Sequence, residues 1–280
     1  MILGIAFKFP DMIFERFLKT AREFLSNEEI VIFVSNPTGE ARDIFKQYNA
    51  SLVEVDSANY HLQTWRYVLY ERYLSEVNPE FVFLTDVRDV VFQGDIFSKL
   101  KKLTFDQCFF QEGKLIRDCE TNSLWIKEGF GDDLYGKVLD EPIICSGTTF
   151  GTLNGIMEYL KIINQVAPKI MSKNLSRPDG IDQGIHNALI RSGAFKNYKI
   201  FSNDNGPIIT LQYAEHKINN RGFVTNLSGS VPEVAHQIDR MPREMINQIG
   251  KLRSFPVIDL IATRNIIEGR DALDFSGLDI

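Results

Sequence analysis

The stretch FVFLTDVRDVVFQGD (residues 81–95) decides the fold of this chain, because an apolar run ends abruptly in charged residues. Such a run is typical of a central strand in an α/β sheet, which is buried on both faces. Asp86 and Asp89 follow the run, with Arg88 between them. Open α/β sheets bind ligands at the carboxyl ends of their strands. A solvated turn with an Asp–Arg pair is the alternative, but charges beside a buried run need partners, which favours a site.

The two acids predict a divalent cation together with phosphate groups. Mg²⁺ and Mn²⁺ prefer carboxylate oxygens and usually share their coordination shell with substrate phosphate. We therefore expect Asp86 and Asp89 to contribute to a Mn²⁺ or Mg²⁺ site.

Composition limits the class of protein. The 280 residues are 44% hydrophobic, which is enough for one large α/β domain. The 31 basic and 37 acidic residues give a net charge of -6 without a long basic block, which argues against nucleic acid as a partner. Cys108, Cys119 and Cys145 have no CxxC spacing, so we expect a reducing compartment and a cytoplasmic protein. The apolar run at 1–7 is too short for a signal or transmembrane segment, while contact with a membrane surface stays open.

Strand and helix patterns alternate along the first hundred residues, which predicts a mostly parallel sheet with helices on both faces. The predicted strands are 1–7, 30–34, 51–55 and 81–85, and the predicted helices are 14–25, 41–48 and 63–77. Later strands are predicted at 109–110, 122–126 and 143–152, and later helices at 155–166 and 180–191. We expect one catalytic domain over 1–243, with halves 1–102 and 103–243, and an extension over 244–280 that begins with a helix candidate.

Three later segments must be explained together with the acids. They are IICSGTTFG (143–151), PDGIDQGIHN (178–187) and AHQIDR (235–240). In this order, over about residues 60 to 240, the segments resemble the nucleotide-sugar-dependent glycosyltransferases of the GT-A fold. The resemblance is closest to the retaining type of glycosyltransferase family eight.

Each matching motif shows how the resemblance arises. Asp86-Val87-Arg88-Asp89 stands for the DXD motif of the family and is one residue longer, and Gly94-Asp95-Ile96 keeps its continuation. Cys145-Ser146-Gly147 matches Asn-Ser-Gly with Cys in place of Asn. Asp182-Gln183 with Asn187 matches the start of a later helix, and His236 matches a downstream histidine that ligates the metal.

The resemblance implies a GT-A fold, which is a Rossmann-like α/β fold with a mixed, mostly parallel sheet flanked by helices. It implies transfer of a sugar, with retention, from a nucleotide donor such as a UDP-sugar to a hydroxyl of a glycan, lipid or protein. Asp86, Asp89 and His236 would hold Mn²⁺ or Mg²⁺, and Asp182 and Gln183 would be catalytic. The donor would contact Phe7, Arg66, Asp86, Arg88, Ser146, Gly147, Thr148 and Arg240. The sequence leaves the oligomeric state open.

Several alternatives stay open at the level of sequence. His216 competes with His236 for the role of ligand. An inverting enzyme would need a carboxylate base, for which Asp182, Glu112 and Asp239 are available. A phosphatase or phosphoryl-transfer enzyme with Asp86 as nucleophile, and a non-catalytic sugar-binding module, are the other two readings.

Neighbouring aromatic and histidine side chains are expected to pack. Tyr67, Tyr70 and Tyr73 lie on the helix before the acidic strand and are predicted to be packing residues. His186 is predicted to be a packed or hydrogen-bonded helix residue.

Overall fold

Runs of β-branched and aromatic residues build four parallel strands in the first 85 residues of the computed structural model, which describes residues 1–56 and 62–256. The strands are β1 (Ile2–Phe7), β2 (Ile30–Ser35), β3 (Ser51–Glu54) and β4 (Phe81–Thr85). The helices between them are α1 (Asp11–Phe24), α2 (Gly39–Gln47) and α3 (Leu62–Leu74). The hydroxyl of Thr38 accepts a 2.9 Å hydrogen bond from the Ala41 amide, which caps α2.

Shorter elements follow. The strands are β5 (Val90–Phe92), β6 (Gln107–Leu115), β7 (Pro142–Thr152), β8 (Tyr198–Phe201), β9 (Ile208–Thr210), β10 (Lys217–Ile218), β11 (Val224–Thr225) and β12 (Val234–His236). The helices are α4 (Ile96–Leu100), α5 (Glu120–Phe130), α6 (Asp132–Val138), α7 (Leu153–Met171), α8 (Ile181–Arg191) and α9 (Arg243–Arg253). Two 3-10 turns lie at Ile116–Asp118 and Ile238–Arg240.

The main sheet has seven strands in the order β3-β2-β1-β4-β7-β6-β8. Strand β7 is antiparallel to both β4 and β6, while the other neighbours pair in parallel. The predicted α/β class with a mixed, mostly parallel sheet flanked by helices is therefore confirmed. A second sheet of three strands, β5-β12-β9, places β12 antiparallel to β5.

Two hydrophobic cores cover the two faces of the main sheet. Helices α1, α2 and α9 pack with β5 and β12 on one face, and α3, α7 and α8 pack on the other. The Phe17 and Phe92 rings meet edge to face at 5.4 Å in the first core. In the second core, Tyr159 lies 5.9 Å from Phe109. Each buried side chain of this size contributes roughly 2–3 kcal/mol of transfer free energy.

The strand predicted at 122–126 is wrong, because these residues lie within helix α5. Asn122, Ser123, Ile126 and Gly129 are buried and repeat at helical spacing, so the segment buries a helix face rather than alternating. The other predicted strands and helices exist, and all but β4 have shifted ends. Strand β6 is longer than predicted.

The helix expected after residue 243 is α9, and its Ile246 and Ile249 join the first core. The rest of the predicted extension, 257–280, lies outside the described residues. None of the described helices is both long and apolar enough to cross a membrane.

Candidate metal centre

Three strand ends bring Asp86, Asp89 and His236 together. Asp86 follows β4 directly, and its amide donates a 2.8 Å hydrogen bond to the Gly147 carbonyl on β7. Asp89 precedes β5, and His236 ends β12 opposite Val90 of β5. One ligand atom from each of the three side chains lies within 4.8 Å of the other two. Pairing of β5 with β12 therefore carries a histidine to the two acids.

One carboxylate oxygen of each aspartate faces the same ring nitrogen of His236. His236 Nε2 lies 3.4 Å from Asp86 Oδ2 and 3.7 Å from Asp89 Oδ1. The same nitrogen is buried and has no hydrogen-bond partner among the described residues. On the other side of the ring, Nδ1 lies 3.6 Å from the Cys145 sulfur. A buried nitrogen without a hydrogen bond is costly, and two carboxylate oxygens with one imidazole nitrogen suit a divalent cation such as Mn²⁺.

Gly147 leaves the space that this arrangement needs. A Cβ at this position would lie 2.5 Å from Asp86 Oδ2 and 2.6 Å from His236 Cε1. Its φ is not in the left-handed region, so steric space rather than backbone conformation requires glycine here.

Arg66 connects Asp86 to Asp182, an arrangement called the Arg66 bridge below. Its Nη1 donates to Asp86 Oδ1 at 2.7 Å, and its Nη2 donates to Asp182 Oδ2 at 2.7 Å. Asp182 Oδ2 also accepts hydrogen bonds from Ser146 Oγ at 3.0 Å and from Tyr67 OH at 3.3 Å. The bridge takes one oxygen of Asp86 and leaves the other facing His236.

Arg88 connects Asp89 to Asp239 in the same way, and this group is called the Arg88 bridge. Its Nη2 donates to Asp239 Oδ2 at 3.1 Å and lies 3.6 Å from Asp89 Oδ2. Arg240 Nε lies 3.5 Å from the other Asp239 oxygen. Arg16 of α1 is buried below this group and donates to the Arg88 carbonyl.

Charge and burial shift the pKa values of the ligands in opposite directions. Burial would raise the pKa of Asp86, but contact with His236 and the charges of Arg66 and Arg88 lower it to about 2. Burial would lower the pKa of His236, but the Cys145 sulfur and the carboxylates of Asp86 and Asp89 raise it well above its usual value. Without a cation, the pair therefore behaves as a carboxylate beside an imidazolium.

Other predicted site residues lie near the metal-ligand cluster. Gln183 accepts from the Ser146 amide at 3.4 Å and donates to Asn122 Oδ1 at 3.2 Å. Thr148 is buried opposite Thr85 in the β4–β7 ladder.

Phe7 ends β1, and its ring lies 6.4 Å from that of Trp65 on α3. The two rings therefore lie at the carboxyl end of β1, the side on which β4 delivers Asp86.

The three carboxylates available as a base for inversion are all buried. Asp182 and Asp239 each accept a hydrogen bond from an arginine, Arg66 and Arg88 respectively. Burial raises the pKa of Glu112, which lies on β6.

The two other histidines named above make local contacts. His216 Nδ1 lies 2.8 Å from the Ala214 carbonyl, and His216 is not a member of the metal-ligand group. His186 is buried and hydrogen-bonds Tyr159 OH through Nδ1 at 2.7 Å, which confirms its prediction as a packed residue.

Sequence reasoning missed two contributors to the site. Tyr67 was predicted only as a packing residue. Its hydroxyl also accepts a hydrogen bond from Arg66 and donates one to Asp182, so it belongs to the Arg66 bridge. Arg16 was not singled out, although a signal exists. It lies three residues after Ile13 and four before Thr20 on the buried stripe of α1, where a charge needs a partner.

Comparison with known proteins adds no further information. Neither the protein-family models nor the curated proteins include a match to this chain. The case for a function therefore rests on the geometry and on the motifs.

Proposed function

We propose that this protein is a metal-dependent glycosyltransferase of the GT-A type. It transfers a sugar from a nucleoside-diphosphate donor, preferably a UDP-sugar, to a hydroxyl of a glycan, lipid or protein, with retention. The observation that carries the proposal is the convergence of Asp86, Asp89 and His236, where the buried imidazole Nε2 faces two carboxylate oxygens at 3.4 and 3.7 Å and makes no hydrogen bond to the described residues. The motif order of the resembling family supports the choice of reaction.

The residues present fit Mn²⁺ or Mg²⁺. Asp86 Oδ2, Asp89 Oδ1 and His236 Nε2 would hold the cation, since the remaining carboxylate oxygens face arginines. When bound, the cation supplies positive charge that stabilises the leaving diphosphate. Gly147 keeps this space open.

Donor contacts follow from the surroundings of the cluster. The half-buried Trp65 ring, which packs near the buried Phe7 ring at the end of β1, would offer an aromatic surface to the nucleoside. The small residues Ser146 and Gly147 let the sugar approach the β7 backbone. The roles of Arg88, Thr148 and Arg240 at the donor stay predictions from the resemblance.

Asp182 and Gln183 would orient the transferred sugar. The contacts of Asp182 with Arg66 and Ser146 hold its carboxylate in one position, and Gln183 is held by the Ser146 amide. A carboxylate fixed in this way can accept hydrogen bonds from the hydroxyls of the transferred sugar. Retention stays an expectation from the resemblance.

Calorimetry with UDP and GDP tests the proposal. Nucleotide binding should require Mn²⁺ and disappear in excess EDTA. His236→Ala should weaken Mn²⁺-dependent binding by about tenfold or more, because a ligand atom is lost. The matched control His216→Ala removes a histidine outside the cluster and should stay within about twofold. Unchanged affinity in EDTA, or a larger loss at His216, would contradict the assignment.

Enzyme assays separate the competing functions. Nucleotide sugars are first screened for Mn²⁺-dependent thermal stabilisation, and the best ligand is then incubated without acceptor. Slow release of nucleoside diphosphate supports a transferase. Binding without turnover, with or without candidate acceptors, indicates a sugar-binding module, and hydrolysis of simple phosphomonoesters instead indicates a phosphatase.

A further inference from the structure

A pocket lies where the last turns of α1, the β10–β11 hairpin and the end of α9 meet. Its volume is about 360 Å³, within the range of roughly 300–1,000 Å³ that small-molecule sites occupy. None of its lining residues belongs to the metal-ligand cluster. The lining, called the Arg253 pocket below, includes Lys19, Glu23, Arg221, Phe223, Leu252 and Arg253.

Chain direction separates this pocket from the metal centre. Helix α1 starts after the carboxyl end of β1 and returns to the amino end of its parallel neighbour β2. Lys19 and Glu23 lie in the last two turns of this helix, whereas Asp86 follows the carboxyl end of β4. The Arg253 pocket and the metal centre therefore lie toward opposite ends of the strands.

Close packing fixes the walls of the pocket. Gly222, in the turn of the hairpin, has a φ of +79°, and a Cβ there would lie 2.8 Å from Leu252 Cβ and 3.1 Å from Arg253 Cγ. Only glycine allows the hairpin to approach the end of α9 this closely. Lys19 Nζ donates a hydrogen bond to the Ser254 carbonyl, which joins α1 to the same end of α9.

Arg253 is the buried cation of this pocket. Its side chain is 3% exposed, and its guanidinium carbon lies 4.9 Å from the ring centre of Phe223 and 5.8 Å from that of Phe24. Nη2 donates to Glu23 Oε2 at 2.5 Å, whereas Nε and Nη1 make no hydrogen bond to the described residues. Aromatic rings stabilise the charge of a guanidinium, but its N–H groups still need oxygen acceptors.

The charges of the lining favour an anion. Lys19, Arg221 and Arg253 are cations, and Glu23 is the carboxylate among the lining residues. Burial lowers the pKa of Arg253, and contact with Glu23 opposes that effect. Glu23 is 47% exposed and can turn away into solvent. A phosphomonoester carries a charge of about −1.5 to −2 near pH 7 and three acceptor oxygens, which a guanidinium binds through two parallel hydrogen bonds.

We propose that the Arg253 pocket is a second ligand site, which binds the phosphate group of a phosphomonoester. Arg253 and Arg221 bind the phosphate oxygens, Lys19 adds charge, and the ligand displaces Glu23 from Arg253. The apolar side chains of Phe223 and Leu252 face the rest of the ligand.

Isothermal titration calorimetry with inorganic phosphate in excess EDTA tests this proposal, because EDTA removes any cation from the metal centre. Arg253→Met should weaken phosphate binding by about tenfold or more, and Lys19→Met and Arg221→Met by about threefold or more each, because each removes a charged donor. Glu23→Gln should tighten binding by about threefold or more, since the carboxylate that competes for Arg253 Nη2 is gone.

The matched control is Arg42→Met, which removes an exposed arginine that also pairs with a glutamate, Glu54, and should bind phosphate like the wild type. An equal loss in Arg42→Met and Arg253→Met overturns the proposal, and so does unchanged or weaker binding in Glu23→Gln. If Arg253→Met does not fold, Lys19→Met and Arg221→Met decide, because neither side chain belongs to the buried core. Wild-type affinity in both overturns the proposal.

Three further probes identify the ligand class. Acetate that binds as tightly as phosphate overturns the assignment to a phosphate dianion. Glycerol 3-phosphate presents the phosphate in solution, and phosphatidylcholine vesicles with phosphatidate present it on a lipid surface. Binding of either one that is lost in Arg253→Met supports the pocket and identifies the source of the phosphate. Absence of binding to both and to inorganic phosphate overturns the proposal.

Failure of the proposed function has a different pattern, because this inference does not rest on it. If the wild type binds no Mn²⁺ or no nucleoside diphosphate, the proposed function fails. Phosphate binding in EDTA and its loss in Arg253→Met then still support the second site.

Discussion

Substituting Gly147 by alanine tests the geometry of the metal centre with a single methyl group. The new Cβ would lie 2.5 Å from Asp86 Oδ2 and 2.6 Å from His236 Cε1, whereas ordinary contacts begin at 3.4 Å. Asp86 Oδ2 must therefore retreat by about 0.9 Å and His236 Cε1 by about 0.8 Å, several times the ~0.2 Å tolerance of metal–ligand distances. Asp86, whose side chain is 36% exposed, would swing outward, and the His236 ring, which is 1% exposed, would have to shift as well.

We expect Gly147→Ala to weaken Mn²⁺ binding by about 100-fold, or about 2.7 kcal/mol, because one carboxylate ligand is displaced. Calorimetry measures the affinity, and urea unfolding verifies that the protein remains folded. The matched control is Gly136→Ala, because a Cβ at Gly136 would meet nothing within 4 Å. It should keep the affinity and stabilise helix α6 slightly. An affinity within about twofold of the wild type in Gly147→Ala would refute the reasoning.

Three further outcomes follow from the charges. Arg66→Met should destabilise the protein by about 3 kcal/mol in urea unfolding, because it leaves Asp182 buried without its cation, while Arg42→Met breaks an exposed pair and should cost less than about 1 kcal/mol. Mn²⁺ affinity should fall by up to about tenfold per pH unit as the pH drops below the raised pKa of His236, because a proton competes with the cation for the ligand nitrogen. A Mn²⁺ affinity that stays constant between pH 8 and pH 6 contradicts the site. Burial lowers the pKa of His186 from 6.5 to about 3, so its contribution to stability is complete above pH 6.5 and is lost as the pH falls toward 3. The full loss amounts to roughly 5 kcal/mol. His186→Gln should therefore lose less stability than the wild type between pH 7 and 4, and equal losses would argue against the shift.

Local sequence patterns were sufficient for the main architecture. Strands β1, β2 and β4 consist of continuous apolar runs, and α1 repeats its apolar residues at helical spacing, so short-range preferences and burial agree. The strand predicted at 122–126 was wrong because the segment has too few apolar residues to distinguish the period of a strand from that of a helix. Contact of α5 with α8 favours the helix.

The sequence alone was enough to predict that Asp86 and Asp89 lie near each other, because both follow one strand within four residues. The choice between His236 and His216 could not, because both are far away along the chain. It depends on the register of β12 against β5, which places His236 opposite Val90. Hydrogen bonds between strands set that register, and only the assembled sheet contains them.

The tertiary structure alone also decided the counter-ions of the site. Nothing local indicates that Arg66 reaches both Asp86 and Asp182, or that Arg88 is held by Asp239. Such pairings depend on which charges are buried together, since burial removes the water that would otherwise solvate each charge separately. The sequence by itself determined the sheet and the acids at its edge, and the packing of distant segments determined which atoms of those acids remain free for a cation.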